Sequence, residues 1–331
     1  MKQDLTNRFK SILYNDDVIT DENKILKLLV DIEEKISCYP FCILVPKTID
    51  QLTYIMQIIS FYEIPLLVRG SGISSAGGLS IDSRKYIMID LRSLNHIEEI
   101  NQEDMYVTVQ AGCSWIRLLN ELDSLGFTTT CSGYGDGIEG TVGGSVSDNE
   151  ILSGYSNYGT LSSNLLGMDI VLADGSILET GSSAADGRIP FSREFGPDLT
   201  GLFIGDSGSL GIKARITLKI IHKKNIKKYF SFVFDRFEDL VLAQSEISKK
   251  HINLEHWGVD VFSNAKLFRQ VIDKPKSNKS KNLFLASLTP RSLVDGVRVS
   301  SQSNYYLNIM IESSTKEEIQ KIYSEVVKLC Q

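Results

Sequence analysis

The sequence contains few of the residues that mark several common classes of protein. Its 331 residues include five cysteines, at positions 38, 42, 113, 131 and 330, and four histidines, at positions 96, 222, 251 and 256. Cys38 and Cys42 are close in sequence, but no second cysteine or histidine pair completes a zinc site. We therefore expect free thiols in a reducing compartment and no metal centre.

Long apolar runs are absent as well. No stretch reaches the about 18 consecutive apolar residues of a membrane span, and Met1-Lys2-Gln3-Asp4-Leu5 lacks the apolar core of a signal peptide. The net charge of −6 gives no basis for a nucleic-acid partner. These features predict a cytoplasmic protein without a membrane span and without a nucleic-acid partner.

Glycine, in contrast, is concentrated in three segments along the chain. They are Arg69-Gly70-Ser71-Gly72-Ile73-Ser74-Ser75, Gly140-Thr141-Val142-Gly143-Gly144 and Gly205-Asp206-Ser207-Gly208-Ser209-Leu210-Gly211. Glycine clusters let a backbone approach a ligand closely and present N–H groups to phosphate oxygens. One such segment alone is often only a tight turn, but three together indicate one extended, phosphate-bearing ligand.

These segments fit neither of the two common nucleotide-binding motifs. Gly70 and Gly72 match the Rossmann pattern, but Ser75 stands where its third glycine belongs. No segment ends in the Gly-Lys-Ser/Thr of a Walker loop. The first segment can still turn N–H groups and hydroxyls toward an anion, with Arg69 either assisting or structural.

Hydrophobic periodicity predicts a mixed α+β fold. A strand at Phe41–Val45, a helix over Asp50–Glu63 and a strand at Pro65–Val68 form a strand–helix–strand unit that leads into the first glycine segment. Further predicted elements are helices over 20–36 and Trp115–Leu125, strands at Tyr86–Asp90, Tyr106–Gln110 and Leu210–Ile221, and a hairpin over Leu166–Leu178 with an Asp174-Gly175 turn.

The length favours two domains of roughly 100–200 residues each. The basic stretch Lys223–Lys228 is interpreted as a linker, which predicts one domain over 1–222, with lobes at about 1–95 and 96–222, and a second over 223–331. The second has strands at Tyr229–Phe234, Leu254–Phe262 and Tyr305–Ile311 and helices at Phe237–Lys250 and Thr315–Leu329, a pattern typical of a small ferredoxin-like α/β unit.

Between Ile43 and Ile221 the chain resembles the FAD-binding domain of the vanillyl-alcohol oxidase / p-cresol methylhydroxylase flavoproteins. It is most similar to the D-lactate dehydrogenase / glycolate oxidase branch. The matching segments, in the family's order and spacing, are Val45-Pro46-Lys47-Thr48, Leu67–Ser74, Ile89-Asp90-Leu91, Val109-Gln110-Ala111-Gly112, Gly140–Gly144, Asn157-Tyr158-Gly159, Val171–Gly175 and Asp198–Ile212.

The resemblance implies a two-lobed FAD-binding domain. The Val68–Ser74 loop would hold the FAD pyrophosphate, and Tyr134–Gly144 would run beside the ribityl chain and the isoalloxazine ring. Ser147–Glu150 would contact the flavin, and Ser207–Ile212 would pack against the adenosine half. The FAD-binding residues implied are Val68, Arg69, Gly70, Ser71, Gly72, Ile73, Ser74, Tyr134, Gly140, Thr141, Gly143, Gly144, Ser147, Asp148, Asn149, Gly211 and Ile212.

Several positions depart from the family pattern. Members that tether the flavin through a histidine carry it where Ile73 stands, and Cys131 lies too early in the sequence to match the cysteine of doubly tethered members. We therefore expect non-covalent FAD. Ile151 and Leu152 replace a usual small residue and glycine, and Ser207 replaces a usual acidic residue.

The second domain corresponds to a shortened substrate-binding cap. Relatives take most of their substrate-binding and catalytic side chains from a longer C-terminal region, and nothing after His256 resembles the metal-binding segment of the lactate/glycolate branch. The catalytic base is therefore not identified. His256, on a predicted cap strand, is a candidate, with ordinary packing as the alternative, and Tyr305 and Tyr306 are interpreted in the same way.

The resemblance implies an FAD-dependent oxidase or dehydrogenase that oxidises a small hydroxy acid or alcohol by hydride transfer to flavin N5. One alternative is an accessory FAD-binding subunit of a multi-subunit oxidase or dehydrogenase, active only with a partner subunit. Another is an NADPH-dependent enzyme resembling the enolpyruvyl-sugar reductase of the same superfamily, because Ile138–Gly144 is similar to its flavin segment.

Overall fold

The protein has a mixed helix-and-sheet fold, as the sequence predicts. The computed structural model describes residues 2–29, 38–74, 86–131, 140–186, 192–194, 196–250, 252, 254–260 and 305–330. The chain divides into two compact units, one formed by Met1–Gly133, Gly137–Leu152 and Thr160–Ile221, the other by Tyr134–Asp136, Ser153–Gly159 and His222–Gln331. None of the helices within the described ranges is long and apolar enough to cross a membrane.

The first unit begins with a four-stranded sheet in the order β1-β2-β4-β3, in which β2 and β3 both run parallel to β4. This arrangement confirms the predicted strand–helix–strand unit, whose second strand ends at the first glycine segment. The elements of this part are α1 (Lys2–Ile12), β1 (Val18–Ile19), α2 (Glu22–Leu28), β2 (Cys42–Leu44), α3 (Ile49–Phe61), β3 (Leu66–Arg69) and β4 (Ile87–Asp90).

Local sequence accounts for the helix between these strands. Thr48 caps α3 by accepting a hydrogen bond from the backbone N–H of Gln51, and the Gln51 side chain accepts one from the N–H of Lys47. The buried side chains of α3 recur at helical spacing and join the main core of the unit: Ile49, Leu52, Ile55, Met56 and Ile59. The predicted start of α2 is also confirmed, with Asp21 as its N-cap, while residues 30–36 of the predicted helix over 20–36 lie outside the described residues.

A second sheet completes the first unit, with the order β5-β6-β10-β8-β9 and β7 paired to β10. The predicted hairpin is confirmed: β8 and β9 pair antiparallel around Asp174-Gly175, where Gly175 has a φ of +82°. The elements are β5 (Ile97–Asn101), β6 (Tyr106–Gln110), α4 (Trp115–Ser124), β7 (Phe127–Thr129), α5 (Val142–Asp148), β8 (Leu165–Val171), β9 (Ile177–Glu179), α7 (Ser183–Asp186), α8 (Leu199–Leu202) and β10 (Ile212–His222).

The second unit is built on a three-stranded antiparallel sheet, β11-β13-β12, with its own apolar core. The predicted strands and helices of this region are confirmed, whereas the ferredoxin-like topology stays a prediction because residues 261–304 lie outside the described residues. The elements are α6 (Tyr155–Tyr158), β11 (Ile226–Phe234), α9 (Phe237–Lys249), β12 (Glu255–Asp260), β13 (Tyr305–Ser313) and α10 (Lys316–Cys330).

Candidate functional site

The first and second glycine segments lie in direct contact. A Cβ atom placed on Gly70 would lie 2.3 Å from Oγ1 of Thr141, far inside van der Waals contact. At Gly140 a Cβ would lie 3.7 Å from Cδ1 of Ile73. The loop that follows β3 therefore packs against the start of α5, and glycine at position 70 is what permits this approach.

The second segment is docked on the end of β6. The backbone N–H of Val142 donates to the carbonyl of Cys113 at 2.9 Å, and that of Gly143 donates to the carbonyl of Ala111 at 2.8 Å. A Cβ on Gly143 would lie 2.6 Å from Cβ of Ala111, so this glycine serves internal packing. Gly144 differs, because among the described residues a Cβ there would meet only Oγ1 of Thr141, at 3.0 Å.

The third segment is docked on the other end of α5. The N–H of Gly205 donates to the carbonyl of Val146 at 3.0 Å, and the N–H of Ser207 donates to the carbonyl of Ser147 at 2.9 Å. Asn149 ends the helix in the left-handed conformation, with a φ of +48°. All three glycine segments therefore meet around α5, although about 70 and 60 residues separate them along the chain.

The three segments differ in how many backbone donors they leave open. In the second, the N–H groups of Val142, Gly143 and Gly144 have acceptors within the protein. In the third, the amides of residues 205 and 207–210 all donate to protein oxygens. In the first, the three consecutive N–H groups of Gly70, Ser71 and Gly72 have no acceptor among the described residues. Within the described residues the same holds for Gly140 and Thr141 in the second segment and for Asp206 and Gly211 in the third, so the first segment has the longest run of open donors.

Arg69 is a structural residue of the first segment. Its guanidinium is buried, with 7% of the side chain exposed, and Nη1 lies 3.5 Å from Oδ2 of Asp90. Nη2 also donates to the carbonyl of Ser71 at 3.1 Å. Because Asp90 also pairs with Arg92 and caps the turn after β4, Arg69 connects the loop to the neighbouring strand.

The remaining predicted FAD-binding residues fall into two groups. Ile212 is buried in the main core, and a Cβ on Gly211 would lie 2.4 Å from Cγ2 of Ile170, so these two residues support the sheet. Ile73, Asp148 and Asn149 are exposed, whereas Val68, Ser74 and Ser147 are half-buried. Tyr134 lies outside the described residues. The assignment of these residues to FAD stays a prediction.

A buried polar chain that the sequence did not reveal runs from α4 to the end of α5. Nε1 of Trp115 donates to Oγ of Ser145 at 2.9 Å, and that hydroxyl donates to Oε2 of Glu150 at 2.8 Å. The direction is fixed because an indole N–H can only donate. Burial raises the pKa of Glu150, the bond from Ser145 opposes this, and the charge of Asp148 adds to the rise.

Two neighbouring residues of β12, Glu255 and His256, have different surroundings, because alternate strand residues face opposite sides. Oε2 of Glu255 accepts a bond from the N–H of Ser156 at 3.2 Å, within the segment that carries Asn157-Tyr158-Gly159. Burial raises the pKa of Glu255 to about 7, with the charge of Glu312 adding to it. Nothing in the sequence around Glu255 indicates this burial, since it depends on contacts between distant segments.

His256 packs against α9 in the second unit. Its Nδ1 lies 3.5 Å from Nε2 of Gln244, and its Nε2 lies 3.4 Å from Oγ of Ser248. Burial lowers the pKa of this imidazole, which favours the neutral ring. These contacts agree with a packing residue, and a role as catalytic base stays a prediction.

Comparison with known proteins finds sequence similarity in the first unit. Residues 40–181 match a family described as an FAD binding domain. Glycolate oxidase subunit GlcD of Bacillus subtilis is 27% identical over 208 residues, which cover 63% of this chain and 43% of that protein. D-lactate dehydrogenase (cytochrome) 1, mitochondrial, of Saccharomyces cerevisiae is 31% identical over 219 residues, covering 65% and 35%. A probable D-2-hydroxyglutarate dehydrogenase of Oryza sativa is 27% identical over 220 residues, covering 66% and 38%.

Solved structures agree at the level of the fold. p-Cresol methylhydroxylase with bound substrate superposes with a TM-score of 0.74 at 16% identity, over 99% of this chain and 64% of that one. Alkyldihydroxyacetonephosphate synthase superposes with a TM-score of 0.75 at 16% identity, over 99% of this chain and 59% of that one. The chain aligns with less than half the length of each of the three sequence relatives. Residues 40–181 are therefore similar in sequence to an FAD binding domain, and the chain has the fold of p-cresol methylhydroxylase.

Proposed function

We propose that this chain is an FAD-dependent oxidoreductase that oxidises a small hydroxy acid or alcohol. One observation carries the proposal: the first glycine segment, with the open N–H groups of Gly70, Ser71 and Gly72, packs against the helix that begins at Thr141. FAD, when bound, supplies the hydride acceptor, its N5 atom.

The residues of this site fit a long, doubly charged ligand. Adjacent backbone N–H groups in a turn form a concavity that binds anions, so Gly70–Gly72 are assigned to the pyrophosphate. Among the described residues, a Cβ on Gly144 would meet Oγ1 of Thr141 and nothing else, and the absence of a side chain here suits the flat ring that the family resemblance assigns to this position. The close contact of Gly70 with Thr141 connects these two parts, and one ligand can therefore span them.

Two features support non-covalent attachment of FAD: the buried thiol of Cys131 and the side chain of Ile73 in the first glycine segment. Cys131 is buried, with 3% exposed, and burial raises the pKa of its thiol to about 11. The thiolate is the reactive form of cysteine, so at neutral pH this side chain is a poor nucleophile. Ile73, at the position of the tethering histidine in other members, has no nucleophilic atom.

The substrate class is inferred from the names of relatives. Those names refer to glycolate, D-lactate and D-2-hydroxyglutarate, each a carboxylic acid with a hydroxyl on the adjacent carbon. Oxidation of such an acid removes a hydride from that carbon and the hydroxyl proton, giving the 2-keto acid, and the reduced flavin then passes its electrons to an acceptor. A fold does not determine a substrate, so this class rests on sequence similarity alone.

A second candidate is an accessory FAD-binding subunit that is active only with a partner. The observation that favours it is the name of a relative: GlcD, 27% identical over 208 residues, is itself named as a subunit. Such a chain would bind FAD through the same glycine segments and would need the partner to oxidise a substrate.

The test is anaerobic reduction of the FAD-loaded chain by glycolate, D-lactate and D-2-hydroxyglutarate, with the L enantiomers as matched controls. Bleaching of the visible flavin spectrum by one D acid or glycolate supports the enzyme. Bound flavin that no acid reduces until a co-purifying partner is added supports the accessory subunit and contradicts the enzyme. Bleaching by NADPH alone supports the reductase alternative.

A further inference from the structure

The third glycine segment contains a buried ion pair that no motif of the family predicts. Asp206 and Lys213 pair directly, and their side chains are only 2% and 3% exposed. Lys213 lies in the second position of β10, where a strand of this sheet otherwise buries apolar residues such as Ile212 and Ala214. A charged pair in such a place requires a structural or functional reason, since burial of each ion is unfavourable.

The carboxylate of Asp206 occupies the concave side of its own loop. Oδ1 accepts a bond from the N–H of Gly208 at 2.8 Å, and Oδ2 accepts one from the N–H of Leu210 at 3.3 Å. The loop reaches this form through three residues with positive φ, Gly205 at +68°, Ser207 at +52° and Gly208 at +75°. Turns of this kind present N–H groups to an anion, and here the anion is the protein's own carboxylate.

Lys213 adds a second connection. Its ammonium neutralises Asp206, and the charge of Asp148, at the end of α5, also favours the charged form of this lysine. Burial opposes these effects and lowers the pKa of Lys213 overall. The same loop is hydrogen-bonded to the end of α5 through Gly205 and Ser207. The ion pair, the loop and the stretch Ser147–Asn149 thus form one connected structure.

We propose that Asp206 and Lys213 are positioning residues that hold the third glycine segment closed, with the N–H groups of residues 205 and 207–210 bonded to protein oxygens, so that this segment shapes the FAD site by packing. The family resemblance already places the first segment at the pyrophosphate and the third at the adenosine half. The ion pair is the feature of this chain that fixes the third segment in its closed form. The predicted effects on FAD binding rest on the proposed function, whereas the closed form of the loop does not.

Hydrogen exchange of the full-length apoprotein, followed by mass spectrometry, tests the closed loop without any variant. Peptides that cover Gly205–Leu210 should exchange slowly before FAD is added and change little afterwards. Peptides that cover Gly70–Gly72 should exchange fast and become protected by FAD. Fast exchange of the third segment in the apoprotein, slowed by FAD, would overturn the proposal. Because the apoprotein measurement needs no FAD, its outcome is independent of whether the proposed function holds.

Three variants then test the pair: Asp206→Asn, Lys213→Met and both together. Removing one partner leaves an uncompensated buried charge or unpaired donors, whereas removing both is far less disruptive. Each single variant should weaken FAD binding by about tenfold or more, and the double variant should bind FAD more tightly than Lys213→Met does. Lys227→Met, at a partly exposed pair with Glu312 in the second unit, is the control and should bind FAD as wild type does.

Additive losses in the double variant, or wild-type affinity in both single variants, would overturn the role of the pair. If Lys213→Met fails to fold, the double variant still decides: a folded double variant with fast exchange at Gly208 and Leu210 supports the proposal, and one with slow exchange contradicts it.

Discussion

Gly70 and Thr141 are in such close contact that a single added methyl group at position 70 would lie 2.3 Å from the threonine hydroxyl. The two residues are far apart in sequence: Gly70 directly follows β3, and Thr141 is the N-cap of α5. Thr141 caps α5 through the same oxygen, accepting a bond from the N–H of Gly144 at 3.2 Å. The contact therefore connects the loop with open N–H groups to the helix that begins beside it.

Substitution of Gly70 by alanine should weaken FAD binding by about tenfold or more, because the two segments must separate to accommodate the methyl group. Adding Thr141→Ala removes the clashing oxygen and should restore part of the affinity for FAD. The loss of the helix cap should lower the free energy of unfolding by about 1 kcal/mol. Fluorescence titration of the apoproteins with FAD measures both changes in affinity, with Thr141→Ala alone as the control. Wild-type affinity in Gly70→Ala would contradict the contact.

Adjacent glycines of the second segment should respond differently to alanine. Gly143→Ala places a methyl group 2.6 Å from Cβ of Ala111 and should destabilise the apoprotein by about 1–3 kcal/mol. Gly144→Ala meets only Oγ1 of Thr141 and should leave the stability unchanged or raise it by up to about 1 kcal/mol. If the flavin lies against Gly144, that variant should nevertheless bind FAD less tightly. Urea unfolding measures the stability of each variant, and titration with FAD measures its affinity. Equal losses of stability in Gly143→Ala and Gly144→Ala would contradict the different roles of the two glycines.

The Trp115–Ser145–Glu150 chain predicts an asymmetry between two substitutions. Ser145→Ala leaves the N–H of a fully buried tryptophan without an acceptor and should cost about 1–3 kcal/mol of unfolding free energy. Glu150→Gln keeps an oxygen that can accept from Ser145 and removes a buried charge, so its loss should be smaller. Ser147→Ala, on the same helix, is the control. A larger loss in Glu150→Gln than in Ser145→Ala would contradict the direction of the chain.

Glu255 should make the protein more stable at mildly acidic pH. Its pKa rises from the ordinary 4.5 to about 7 in the folded protein, so the folded state binds a proton that the unfolded state releases. Its contribution is therefore complete below about pH 4.5 and is lost as the pH rises through 7, with a difference of up to about 3 kcal/mol. In Glu255→Gln, thermal unfolding at several pH values should show no such gain in stability toward acidic pH.

Glu246→Gln is the matched control for that experiment. Glu246 is an exposed carboxyl of α9 whose pKa is lowered by Lys249, so its effect on stability has the opposite sign. Loss of the acid-side stability in Glu246→Gln but not in Glu255→Gln would contradict the assignment.

Local signals were sufficient to predict much of the fold. Asp21 caps its helix as expected, and Asp174-Gly175 forms the hairpin turn. The strand β5 was missed because Glu98 and Glu99 occupy its centre, and charged residues are uncommon in strands. In the structure these carboxylates have partners on other strands of the sheet, with Glu98 paired to Arg215 of β10 and Glu99 accepting a bond from Tyr106 of β6.

The candidate site could be predicted only in outline. Glycine content identified the three segments, but which N–H groups remain open depends on acceptors from distant residues, such as Ala111 for Gly143. Alternation along β10 places Lys213 on the polar face with Arg215 and Thr217, so its burial could not be predicted from the sequence. Nothing local to Glu255 indicates that the backbone of Ser156 is its partner.

Titration of the purified, flavin-free chain with FAD tests the central claim most directly. We expect saturable binding of one FAD per chain, with a visible flavin spectrum and quenched flavin fluorescence, and release of all flavin on acid precipitation. A colourless protein that takes up no added FAD would contradict the account.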